Sequence, residues 1–155
     1  MQSLIRKNVM LVALIVMALS GTSASALAAN ANMEVQAVWA NDKDKDGVPA
    51  SLERYKKVLG EMKFSSFKDK GKQALKTAAG KSGSAAVGGY TVEVEVKSAG
   101  GDKASVTVSA KESGKDKPIG TPVAYTLTKG EPKQVFQLGD AKAPLIILIT
   151  LDDVQ

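Results

Sequence analysis

The stretch APLIILITL, residues 143–151, decides the fold, because it is apolar on both of the faces that a β-strand presents. A strand with one solvent-exposed face alternates apolar and polar residues. No such alternation is present at Ile146, Ile147, Leu148 and Ile149. A strand of this kind is buried on both faces. One face can belong to the core between two sheets, and the other face needs a cover from elsewhere in the chain.

The segment after Pro49 is the predicted cover, because its apolar residues recur at spacings of three and four. These residues are Leu52, Tyr55, Val58, Leu59 and Met62. Such spacing is typical of an amphipathic helix, and proline is favoured in the first turn. We therefore expect a helix at about 49–62 that packs near the first and last strands.

Alternating residues predict strands before and after this helix. MEVQAVWA, residues 33–40, and YTVEVEVKS, residues 90–98, both alternate with period two. Further strands are expected from about residue 64 to residue 151, with KSGSAAVGG, residues 81–89, as an edge strand or a loop. The predicted fold class is β-rich α+β: an antiparallel β-sandwich or partly closed barrel with one N-terminal helix packed on it.

The first 28 residues have the composition of a secretory signal peptide. Two basic residues precede an apolar run at 9–19, which is too short to span a membrane, and ALA at 26–28 fits a cleavage pattern. We expect residues 1–28 to be removed. Residues 29–155 are then expected to form a single β-rich domain, soluble in the periplasm or outside the cell, without a transmembrane segment.

The composition narrows the classes of function. The chain has no cysteine and no histidine, which excludes disulfides, thiol nucleophiles and the commonest general base and transition-metal ligand. The net charge of +5 is only mildly basic, so nucleic acid is not expected as a partner. Nine basic and two acidic residues lie between Arg54 and Lys81, which predicts either a surface for an anionic polymer or an ordinary solvated face.

NDKDKDGVPASLE, residues 41–53, resembles the calcium loop of EF-hand and dockerin modules. It fits the pattern D-x-[DN]-x-[DN]-G-x5-E, in which oxygen ligands surround the ion. The candidate calcium ligands are Asp42, Asp44, Asp46, the carbonyl of Val48, and Glu53. The loop follows a strand instead of a helix and has no sister loop. The alternative is therefore a charged turn that starts the helix.

Glu93 and Glu95 are the other carboxylate pair, because they project from the same face of one predicted strand. Two carboxylates can cleave a glycoside when a cleft gives them different environments. The neighbours Thr91 and Lys97 are typical of a wet sheet face. A carboxylate-based hydrolase is therefore the least favoured alternative, and we predict that the protein is not an enzyme.

Two longer segments, FSSFKDKGKQALKTAAGKSGSAAVGGYTVEVEV (64–96) and TPVAYTLTKGEPKQVFQLGDAKAPLIILITL (121–151), resemble a group of small exported bacterial β-rich proteins of unknown function. The resemblance implies a fold and export, and it carries no active site. The favoured hypothesis is an exported, non-catalytic binding or structural domain of the bacterial cell envelope or exterior. Its partner would be an unknown protein or an envelope polymer, and a calcium-dependent extracellular module is the alternative.

Overall fold

The computed structural model describes residues 29–155, and the predicted signal peptide lies outside this range. The elements of the described residues are, in chain order, β1 (Asn30–Asn41), a 3-10 helix (Ala50–Tyr55), α1 (Lys56–Gly60), β2 (Ser66–Ala78), β3 (Ser82–Val87), β4 (Tyr90–Gly100), β5 (Lys103–Glu112), β6 (Val123–Thr128), β7 (Lys133–Leu138) and β8 (Leu145–Val154). The stretch 81–89, for which the sequence allowed a strand or a loop, forms the edge strand β3.

The strands form two four-stranded antiparallel sheets, with the orders β2-β1-β8-β7 and β3-β4-β5-β6. Chain neighbours are also sheet neighbours except at two places, β2 to β3 and β6 to β7, where the chain crosses from one sheet to the other. The last strand pairs with the first, as in an up-and-down barrel that is open at these two crossings. The predicted β-rich α+β class is confirmed in its sandwich form.

The space between the sheets is filled mainly by valine and alanine, with leucine, isoleucine and one methionine. Val35 and Ile149 from the first sheet share one cluster with Val94 and Val106 from the second, and all four are at most 1% exposed. Tyr125 of β6 joins the sheets at one crossing, since its hydroxyl donates to the carbonyl of Val135 in β7 at 2.8 Å. These side chains occupy the interior between the sheets, so the surfaces where a ligand can reach the protein lie outside the core.

The outer face of the first sheet carries a second apolar cluster beneath the helical segment. This cluster covers the second apolar face of the last strand. Its buried members are Val38, Ala40, Leu52, Tyr55, Leu59, Phe67, Ile146 and Leu148. Ile146 and Leu148 therefore face the helical segment, while Ile147 and Ile149 face the other sheet. This arrangement confirms that β8 is buried on both faces and that the helix covers it.

The helical segment is shorter than the sequence indicated. Instead of one helix at about 49–62, a 3-10 helix turns into a short α1, with a kink at Leu52 (φ −109°, ψ 15°). Pro49 is extended and provides no side-chain cap, and its carbonyl accepts the first 3-10 bond from the N–H of Leu52 at 2.9 Å. The expected spacing of Leu52, Tyr55 and Leu59 still brings these three side chains to the sheet.

Polar contacts fasten the same segment to the sheet. The hydroxyl of Tyr55 donates to Glu34 Oε1 at 2.5 Å, and Arg54 bonds both Glu34 and Asp152. Burial, and then the neighbouring Glu34 carboxylate, raise the pKa of Tyr55 far above its usual range, so the phenol stays a donor. Glu34 therefore lies under the helical segment and serves as an acceptor there.

A β-bulge in β2 is held by a buried amide. Gln36 is fully buried, and its Nε2 donates to Asp69 Oδ1 at 2.8 Å and to the carbonyl of Gly71 at 3.0 Å. The β1–β2 register shifts here, and Gly71 has φ +110°, which favours glycine. Desolvation alone would raise the pKa of Asp69, but the bonds from Gly71 N–H and Gln36 outweigh it and hold the pKa below its usual value.

We predict that Leu59→Ala lowers the free energy of unfolding by about 2–5 kcal/mol, because it opens a cavity between the helical segment and β8. The matched control is Ile119→Ala, since Ile119 is 38% exposed and its loss should cost about 0.5 kcal/mol or less. Urea denaturation monitored by circular dichroism measures both variants. Equal, small losses in the two variants would show that the helical segment does not cover the sheet.

Candidate functional site

The loop after β1 is organised by the side chain of Asn41. This residue is 2% exposed, and its Oδ1 accepts the backbone N–H groups of Lys43 at 2.9 Å and Asp44 at 3.0 Å. Asparagine commonly closes a turn in this way. The bonds fix the path of the chain directly after the strand, where the sequence predicted a calcium loop.

The loop is also tied to the start of β2. Gly47 N–H donates to the carbonyl of Ser65, and Phe67 N–H donates to the carbonyl of Gly47, both at 3.1 Å. Gly47 has φ +71°, a conformation that glycine adopts without strain. Ser65 Oγ donates to the carbonyl of Asp44, so internal bonds hold both sides of the acidic stretch.

The predicted calcium ligands are Asp42, Asp44, Asp46, Val48 and Glu53. The three aspartates are exposed, and Glu53 lies in the 3-10 helix beside Lys56, with 3.5 Å between Oε1 and Nζ. Within residues 29–155, no group of three or more Asp, Glu, His or Cys side chains is arranged to hold a metal ion. Calcium binding by this loop stays a prediction.

One of these aspartates lines a pocket with a distant part of the chain. The pocket has a volume of about 250 Å³ and lies between the loop after β1 and the turn that joins β7 to β8. Its principal lining residues are Trp39, Asn41, Lys43, Asp44, Asp140 and Lys142. We call it the Trp39 pocket. Asp44 is one of the predicted calcium ligands, whereas no sequence pattern marks Asp140 or Lys142.

The β1–β8 pairing brings the two walls of the Trp39 pocket together. Trp39 lies opposite Leu145 in the strand register, and Ala40 N–H donates to the carbonyl of Pro144 at 3.1 Å. On the far wall, Asp140 Oδ1 accepts the backbone N–H of Lys142 at 2.9 Å. Each wall is thus closed by an Asn or Asp side chain that bonds the backbone of its own turn.

Trp39 is partly exposed and is braced by a lysine from the neighbouring strand. Lys68 lies opposite Trp39 in the β1–β2 register, and its Nζ is 5.1 Å from the centre of the indole ring. A cation at this distance is attracted by the electron-rich ring face. Lys68 is not part of the pocket lining, so it holds the ring from outside the Trp39 pocket.

The two glutamates of the predicted carboxylate pair share the outer face of β4, as expected, but they have different surroundings. Glu95 Oε1 accepts a bond from Lys97 Nζ at 2.6 Å. Glu93 lines a shallow pocket of about 220 Å³ with Lys111 and Asp116, among other residues, and Glu95 is not part of that lining. The two glutamates therefore do not face one another across a cleft.

The basic residues of the 54–81 segment are exposed and spread over the helical segment and edge strand β2. Several of them are already neutralised: Arg54 pairs with Asp152, Lys56 with Glu53, and Lys72 with Glu34. Lysines on an exposed edge also discourage pairing with a strand of another molecule. The segment therefore has features of an ordinary solvated edge.

Comparison of the chain with protein-family models, with curated proteins and with solved structures gives no match. None of the helices within residues 29–155 has the length and apolar character needed to cross a membrane.

We predict that Asn41→Ala loosens this loop, because the N–H groups of Lys43 and Asp44 lose their acceptor. The expected result is a loss of about 1–3 kcal/mol in the free energy of unfolding and faster hydrogen exchange at these two amides. Asn41→Asp separates the two effects: it keeps an acceptor for both bonds, so exchange at these amides should stay slow, while its carboxylate, buried beside Asp44, lowers the free energy of unfolding. Unchanged exchange in Asn41→Ala would show that this side chain does not organise the loop.

Proposed function

We propose that the protein is an exported, non-catalytic binding domain of the bacterial cell envelope or exterior. The observation that carries this proposal is the Trp39 pocket. It combines a partly exposed aromatic ring with polar side chains on two turns that are fixed by internal bonds. Pre-arranged polar groups beside an aromatic surface are typical of binding sites, because little ordering is left to be done when a ligand enters.

The residue types favour binding over catalysis. The chain lacks histidine and cysteine, so an enzyme would depend on carboxylates, hydroxyls or lysine. The carboxylates of the Trp39 pocket are accompanied by Lys43 and Lys142, and the pocket that Glu93 lines does not include Glu95. This arrangement supports recognition of a polar partner without a step that makes or breaks covalent bonds.

Export is supported by the sequence. Residues 1–28 have the three-part pattern of a secretory signal, and a domain without cysteine needs no disulfide machinery after translocation. The resemblance to small exported bacterial proteins points in the same direction. A polymer or protein of the envelope is therefore the class of partner that we propose.

A calcium-dependent module is the second candidate. It is favoured by the full match of residues 42–53 to the calcium-loop pattern and by the presence of both Asp44 and Asp140 in one pocket. In this candidate, the ion would order the loop, and partner binding would require calcium. The two lysines of the same lining weaken the attraction for a cation, so we place this candidate second.

We predict that the purified protein co-sediments with isolated envelope material of its source bacterium in a saturable manner. Asp140→Lys should abolish this binding by placing a third ammonium group in the Trp39 pocket. Asp102→Lys is the matched control, because Asp102 is exposed in the turn between β4 and β5, at the opposite end of the sandwich. Binding should also persist at raised ionic strength, which screens adsorption by exposed lysines.

The outcomes of this experiment separate the candidates. Absence of co-sedimentation, or equal loss in both variants, contradicts the proposed binding domain. Binding that a chelator abolishes and calcium restores supports the calcium-dependent module instead. Binding that is unaffected by the chelator removes that second candidate.

A further inference from the structure

We propose that the Trp39 pocket binds a neutral sugar ring, presented by a glycan. This inference rests on the proposed binding function and names the chemistry of its partner. A pyranose ring has one face of C–H groups and a rim of hydroxyls. It therefore binds well to an aromatic ring with hydrogen-bonding groups around it, and the lining of the Trp39 pocket combines an indole with carboxylate and ammonium groups.

The charges of the lining favour a neutral ligand. Lys43 and Lys142 contribute two positive charges, and Asp44 and Asp140 contribute two negative charges. An anionic or a cationic ligand would be attracted by one pair and repelled by the other. A neutral polyol can donate to the carboxylates and accept from the ammonium groups at the same time.

The carboxylates keep acceptor positions for such hydroxyls. Among the described residues, Asp140 uses Oδ1 for the N–H of Lys142, and Asp44 uses Oδ2 for a long contact of 3.4 Å from Asn41 Nδ2. A carboxylate has about four acceptor positions, so each one retains capacity for a ligand. Hydrogen bonds from a hydroxyl to a carboxylate are charge-assisted and stronger than those between neutral groups.

The pocket is pre-arranged for this task. Asn41 is a buried residue of the lining, and its side chain is fixed by two backbone N–H groups and by the contact with Asp44. Lys68 holds the indole ring from outside the pocket. Asn41 and Asp140 are therefore already ordered when a ligand enters, which lowers the entropic cost of binding.

The size of the pocket limits the ligand to a short one. A volume of about 250 Å³ is below that of pockets for drug-sized molecules, which start at roughly 300 Å³. We therefore expect one sugar ring inside the pocket. The rest of the glycan would extend past the turns at this end of the sandwich.

The test uses the only tryptophan of the chain, which is Trp39 itself. The fluorescence of the purified protein is followed during titration with neutral oligosaccharides of glucose, galactose, mannose and N-acetylglucosamine, and with oligogalacturonate as a charged probe. We expect at least one neutral sugar to shift or quench the emission in a saturable manner, and oligogalacturonate to bind at least about tenfold more weakly than that sugar.

Variants show whether the signal comes from the proposed contacts. Asp140→Asn keeps an acceptor for the turn but removes the charge, and it should weaken the binding of the active sugar by about tenfold or more. Asp44→Asn should act in the same direction, while Asp102→Asn at the opposite end should leave the affinity unchanged. Calorimetry of Trp39→Phe, which lacks the reporter, should show weaker but detectable binding, because a smaller aromatic face remains.

Three results would overturn this inference. They are the absence of any response to the neutral sugars, tighter binding of oligogalacturonate, and an affinity that the two pocket variants do not change. If the envelope binding of the wild-type protein persists under any of these results, the proposed binding function stands and only the sugar assignment fails. If envelope binding is also absent, the broader proposal fails with it.

Discussion

The pairing of β1 with β8 is the interaction on which the rest of the structure depends. These two strands are the centre of the first sheet, and their register sets Val35 opposite Ile149 and Ala37 opposite Ile147. Because they are covered on both faces, their hydrogen bonds lie in a dry environment, where an unpaired N–H or carbonyl would be costly. The second sheet and the helical segment are the two covers that this pair requires.

The same pairing positions the candidate site. The ladder ends at Trp39 and Leu145, and the chain leaves it there as two turns that face each other. Each turn is fixed by a polar side chain of its own, so their carboxylates and ammonium groups lie around a partly exposed indole ring. The apolar centre of the sheet is a rigid support, and the turns at its end carry the polar and charged side chains. The proposed binding site therefore lies at the end of a core that is filled by its own side chains.

Much of the fold could be predicted from the sequence because burial leaves a local pattern. The unbroken apolar run of β8 predicted two covered faces, and the spacing of Leu52, Tyr55 and Leu59 predicted the element that covers one of them. The first and last residues of this helical segment could not be predicted in the same way. The spacing of apolar residues indicates which side chains are buried. It does not indicate whether a short segment that is held at both ends forms 3-10 or α turns.

The candidate site was only partly predictable, because its parts come from opposite ends of the chain. Asp44 attracted attention through a local motif that resembles a calcium loop, whereas Asp140 follows β7 in a short turn without any recognised pattern. Their proximity depends on the β1–β8 register. The role of Glu34 as an acceptor also depends on the position of the helical segment, and that of Gln36 depends on the bulge in β2. No pattern within β1 alone contains that information.

Residue-resolved native-state hydrogen exchange tests this account most directly. The ladder amides of residues in β1 and β8 whose side chains face the core, such as Val35, Ala37, Ile147 and Ile149, should exchange only through global unfolding. The paired amides of edge strand β6 should exchange through smaller local openings. Equal protection in these strands, or faster exchange in β8 than in β6, would contradict the claim that the doubly covered β1–β8 pair is the centre of the structure.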